Sequence, residues 1–160
     1  MNAFVSAALA ALAAVIVTTN LQDKQAKKEE PVVELGNFSV SLTVKDIKAS
    51  MAFYEKLDFK QVSGKLEQNW VVLKNGTTKI GLFQGMFEKN SLTFNPGWDS
   101  ERKTPENFQD VRELQRILKE RGLKLQVEAD ETKDGPAFFT LVDPDGNPIL
   151  VDQHVPKPQR

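Results

Sequence analysis

Few side chains in this 160-residue sequence are equipped for chemistry, and their spacing limits what they can do. The only histidine, His154, ends the stretch "LVDPDGNPILVDQH" (141–154), and Asp152 shares its parity along an extended strand. An imidazole and a carboxylate so placed can bind a divalent cation or exchange a proton, yet two ligands make a weak metal site. "EADETKDGPAFF" (128–139) gathers carboxylates in a loop, where adjacent acids are usually just solvated, and no spacing singles out an acid–base pair. Asp99 sits in a second loop. His154 is remote in sequence from every candidate serine, so no nucleophile–base pair is legible. Nothing matches a phosphate-cradling glycine loop. The absence of cysteine excludes disulfides, thiolate zinc sites and cysteine nucleophiles.

Composition narrows the classes further. Lys plus Arg (21) and Asp plus Glu (22) nearly cancel, and no basic stripe stands out. Nucleic-acid binding needs clustered cations to displace counterions, so it is not expected. The 27% charged and 40% hydrophobic content is ordinary for a globular domain, and the length suits a single one.

The first 20 residues differ from the rest. Phe4–Val17, "FVSAALAALAAVIV", is an unbroken small-and-apolar run, about as long as a signal-peptide hydrophobic region and shorter than a comfortable membrane span. No Lys or Arg precedes it, and its Ala-x-Ala pattern falls inside the run. A helix packed on the domain is the alternative. Export, or membrane tethering through residues 4–17, is expected, because such a run is costly to leave in water; otherwise the chain is cytoplasmic. Residues 21–36 read as a polar linker, and the working domain begins near Asn37.

From there the elements that position the chemistry follow. "FSVSLTV" (38–44) alternates strictly, with Phe38, Val40, Leu42 and Val44 on one face and Ser39, Ser41 and Thr43 on the other. Asp46 caps a helix whose stripe is Ile47, Met51, Tyr54 and Leu57, with Phe53 and Ala52 at its edge. Three strands follow in "FKQVSG", "NWVVLKNG" and "TKIGLFQG". The pattern then repeats. "SLTFN" is a strand, and "NFQDVRELQRILKERG" a helix with Phe108, Val111, Leu114, Ile117 and Leu118 on one face and Gly122 as its stop. "LKLQVEA", "PAFFTLV" and "PILVDQ" complete the set. The chain is therefore read as α+β: two tandem β-α-β-β-β modules, 37–87 and 91–154, curling one sheet around a shared cleft, followed by a tail at 155–160.

Two such modules, with "TVKDIKASMAFYEKLDF" and "DPDGNPILV" in corresponding places, resemble the vicinal oxygen chelate superfamily of glyoxalase I, bleomycin-resistance proteins, fosfomycin-resistance enzymes and extradiol dioxygenases. The family's usual Leu-Gly-Phe after the first helix is here Leu57-Asp58-Phe59, and aspartate tolerates a left-handed backbone. The resemblance implies metal ligands (His, Gln or Glu) at four cleft-facing points, which fall here on Ser39, Gly81, Ser91 and Leu150. These four side chains offer no imidazole or carboxylate. The reading accordingly assigns no metal at the usual place and no cofactor.

Alternation and loop placement assign Ser39, Ser41, Thr43, Gly81, Phe83, Ser91, Thr93, Asn95 and Leu150 to the cleft wall. Gly81 leaves space for either a ligand ring or a neighbouring side chain. Trp98 can plug the sheet edge or stack on a ligand; Gln68 is expected to reach the cleft, and Trp70 to lie in the core. A neutral lining of this kind suits a small neutral organic ligand, and a metal-free binding module is the leading reading. The alternatives are a lyase or dioxygenase using a non-standard metal site or the acids at Asp99 and 130–134, and an accessory interaction domain. A homodimer is possible, although both modules sit in one chain.

Overall fold

The computed structural model describes residues 30–159. The apolar segment 1–20 and the linker residues 21–29 lie outside the described residues, among which no helix is long and apolar enough to cross a membrane. The first module consists of β1 (Asn37–Val44), α1 (Ile47–Glu55), β2 (Lys60–Lys65), β3 (Trp70–Asn75) and β4 (Thr78–Gln84). The second consists of β5 (Ser91–Asn95), α2 (Val111–Glu120), β6 (Leu125–Val127), β7 (Ala137–Val142) and β8 (Pro148–Gln153). All eight strands form one sheet in the order β2-β3-β4-β1-β5-β8-β7-β6. Outward from the central pair, the sequence first–fourth–third–second strand is the same in both modules, which is the repeat expressed as geometry.

Strand alternation separates core from cleft. Val71, Leu73 and Leu82 are fully buried beneath α1, where Ile47, Met51 and Tyr54 meet them. Val111, Leu114 and Leu118 of α2 close over Phe139, Leu141 and Val151 in the same way. Helix α1 begins where Asp46 accepts the N–H groups of Lys48 and Ala49 at 2.9 and 3.0 Å. It is shorter than its apolar stripe: Leu57 lies beyond the last turn, and both Leu57 and Phe53 are more than half exposed. Asp58 takes φ 61°, the left-handed conformation its substitution for glycine requires. Residues 31–36, read as the end of a linker, dock instead on the second module. Val33 and Leu35 pack on its core, and Gln109 holds the Val32 carbonyl and the Glu34 N–H.

Three polar side chains that no apolar stripe predicts are buried at the edge of α2. Gln153, fully buried, accepts the Val111 N–H at 2.7 Å and donates to Asp110 and to the Val155 carbonyl, both at 3.0 Å. Arg112 pairs with Asp110 at 3.2 Å and donates to the carbonyls of Asp130 and Gly135. Gln115 brackets the Ala129 backbone with both its amide atoms. The bonds of Gln153 fasten the end of β8 to the start of α2, and so fix the register in which Asp152 and His154 face the other way, while those of Arg112 and Gln115 tie α2 to residues 129–135. Gln153→Leu keeps the volume but orphans the buried Val111 N–H and removes a donor from Asp110. Urea denaturation should show a loss on the order of 3 kcal/mol, and a change under 0.5 kcal/mol, the range of ordinary surface substitutions, would contradict this role.

Candidate functional site

The face of the sheet turned away from the helices forms a cleft of about 770 Å³. Its floor is the central pair β1 and β5, in which Ser39 lies opposite Thr93, and Ser41 opposite Ser91. The hydroxyls of Ser41 and Thr93 hydrogen-bond to each other at 2.9 Å across the seam. Asn95 donates to the Asp152 carbonyl at 3.0 Å, and the Ser91 hydroxyl reaches the Pro148 carbonyl at 3.3 Å. Thr93 is in turn opposite Leu150 on β8. Ser39 has no side-chain hydrogen bond among the described residues, so its hydroxyl is open to an incoming group.

Of the residues assigned from sequence, Ser39, Ser41, Gly81, Phe83, Ser91, Thr93, Asn95, Trp98 and Leu150 come together on this surface. Thr43 and Gln68 do not. Thr43 has the expected parity, but its hydroxyl donates to the Phe87 carbonyl at 2.9 Å and its N–H to Asn90 at 3.0 Å, which pins the connector between modules. Gln68 is carried out to solvent by a single 3-10 turn, Leu66–Gln68. Trp70 takes the place expected of Gln68. It lies opposite Phe83 in the β3–β4 ladder and stacks on it, with ring centroids 6.4 Å apart and planes inclined by 11°. Phe87 joins them at 5.0 Å from Phe83. The glycine at 81 serves this wall: a Cβ there would come within 2.5 Å of the Phe83 ring, so its space belongs to a neighbouring side chain.

The opposite end of the cleft is charged, contrary to a neutral lining. Lys79, two residues before Gly81 and therefore of the same parity, lines the wall with only 6% of its surface exposed. That parity was legible and the residue was missed. The Asp152 carboxyl and the His154 imidazole approach to 3.3 Å, and Trp98 stacks on the His154 ring at 4.3 Å and carries the Arg102 guanidinium 5.5 Å from its own centroid. Trp98 thus packs through His154 and lines the cleft. Burial pushes the Asp152 carboxyl above its ordinary value, and His154 opposes that shift.

Residues 37–151 match the model of the Glyoxalase/Bleomycin resistance protein/Dioxygenase superfamily. The chain belongs to that superfamily. Solved structures share its fold. A glyoxalase/bleomycin resistance protein/dioxygenase superfamily member from Vibrio splendidus 12B01 is 17% identical, over 72% of this chain and 97% of that one, with TM-score 0.51. An NAD-dependent benzaldehyde dehydrogenase from Legionella pneumophila is 18% identical, over 73% and 98%, with TM-score 0.54. An extradiol ring-cleaving dioxygenase from B.fuscum is 20% identical, over 81% of this chain and 35% of that one, with TM-score 0.51. At these identities the likeness establishes the fold alone. No curated protein matches the sequence significantly.

The superfamily's metal does not fit the residues at its usual stations. Ser39, Gly81, Ser91 and Leu150 bring two hydroxyls and no imidazole or carboxylate, and the space above Gly81 is taken by Phe83. Among the described residues no three His, Cys, Asp or Glu side chains converge as a ligand set.

Because the folded Asp152 carboxyl has a raised pKa, its contribution to stability is present below its unfolded value of 3.8 and is lost as pH rises through the folded value. Asp152→Asn should therefore melt higher than the parent at pH 8, with the gain vanishing at pH 3. A lower melting temperature at pH 8 would mean that the pairing with His154 outweighs burial.

Proposed function

We propose that this cleft binds a small organic molecule directly, without a metal ion, and that the protein is a binding module of its superfamily rather than a metal-dependent lyase or dioxygenase. The observation that carries the reading is the pairing of Leu150 and Gly81, where ligands would stand, with a stacked aromatic wall of Trp70 and Phe83 beside them. Apolar and aromatic surface with a few convergent hydroxyls favours a planar organic guest held by stacking and hydrogen bonds. A second reading, acid–base turnover of the guest, is favoured by the 3.3 Å Asp152–His154 pair. His154→Ala should leave binding intact and abolish turnover if that reading holds.

Purified protein should carry far less than one equivalent of zinc, nickel, manganese or iron. A thermal-shift screen of planar metabolites and toxins should find compounds that raise the melting temperature by about 5–10 °C at a hundredfold excess over Kd. Stoichiometric metal that disappears in Asp152→Ala or His154→Ala would overturn the proposal. We also propose that the run Phe4–Val17 exports or tethers the chain; fractionation of producing cells checks this, and recovery with cytoplasmic proteins would contradict it.

A further inference from the structure

The two ends of the cleft differ in kind. Trp70, Phe83 and Phe87 build an aromatic end, with the exposed Glu88 and Lys89 beside Phe87. Lys79 lies four residues before Phe83 on the same face of β4, about 13 Å away along the strand. Most of the residue is covered, its ammonium nitrogen keeps contact with solvent, and among the described residues it makes no side-chain hydrogen bond or ion pair. An ammonium that is open to solvent and has no protein partner is free to pair with an anionic group of a guest.

The nearby carboxylates are already engaged. Asp99 accepts the N–H groups of Glu101 at 2.7 Å and Lys103 at 2.9 Å. Glu101 pairs with Lys74, which ties the 96–110 loop to β3. Arg102, held at φ 61° by that loop, lies over Trp98 and likewise has no ion pair among the described residues. Asp152 stands three strands from Lys79, about 14 Å across the sheet, and is paired with His154. Lys79 and Arg102 thus both line the cleft, and among the described residues neither is held in an ion pair.

Resting on the ligand-binding reading above, we infer that the guest is an amphipathic organic anion: a planar apolar body on the Trp70–Phe83 wall, and a carboxylate or similar group between Lys79 and Arg102. The electrostatics agree. Burial first, then Arg102 and Lys74, hold the Lys79 ammonium below its usual value of 10.5, while Glu101 and Asp99 oppose the shift. A bound anion would relieve both the burial and the repulsion.

Trp70 and Trp98 are the only tryptophans in the chain, and both line the cleft, so intrinsic fluorescence reports its occupancy. The full chain is titrated with naphthoate and with its uncharged counterpart naphthamide. Naphthoate should bind at least about tenfold tighter, as a charge-assisted hydrogen bond gives. Lys79→Met, and independently Arg102→Gln on the exposed loop, should bring its affinity down toward that of the amide, while Lys79→Arg restores the preference. Equal affinities in the parent, or a preference that survives both charge removals, would overturn the anion inference and leave the ligand-binding reading standing. Binding of neither compound would overturn both.

Discussion

The antiparallel pairing of β1 with β5 holds the site together. It places Ser39 opposite Thr93 and Ser41 opposite Ser91, and it stitches the two modules with a hydroxyl–hydroxyl bond between Ser41 and Thr93. Each module alone would carry half a cleft; paired, they give a continuous eight-stranded surface whose apolar side is covered by α1 over one module and α2 over the other, with Phe38 and Leu92 of the central strands left partly exposed. Because side chains alternate along a strand, a slip of one residue in this pairing would send Leu42 and Phe94 into the cleft and the hydroxyls into the core. The small floor residues also matter for shape, since they leave room for the aromatic wall on one side and the charged end on the other.

The side chains at the four positions where the family resemblance implies a metal ion do not fit one. Leucine at 150 offers no lone pair, and glycine at 81 makes way for the Phe83 ring. The cleft has not become inert. Its walls carry an aromatic end and an end with Lys79 and Arg102, where the His154 ring, beside Asp152, stacks on Trp98. The register of that pair comes from the core side of the same strand, where buried Gln153 is locked to Asp110 and to the Val111 N–H.

Much of the fold was legible because it rests on period-two and helical patterns repeated in two modules, and because Asp46, Asp58 and Gly122 stand where a cap, a left-handed turn and a stop are needed. The cleft floor was legible for the same reason. What sequence could not give was set by local turns and by long polar side chains. A 3-10 turn rotated Gln68 outward and brought Trp70 to the wall, and Thr43 was drawn into holding the connector. Lys79 followed the alternation rule, yet a lysine in a strand reads as solvent-facing unless its neighbours are known. Gln153, Arg112 and Gln115 look like surface residues in one dimension; the 128–135 loop engages Arg112 and Gln115, and the start of α2 engages Gln153.

Anomalous diffraction from crystals grown with both zinc and a planar organic acid puts the two chemistries in direct competition for the same surface. Organic density is expected against Trp70 and Phe83, its acidic group between Lys79 and Arg102, with no anomalous peak near residues 39, 81, 91 and 150. A zinc peak bound among those four positions, with the aromatic wall bare, would contradict it.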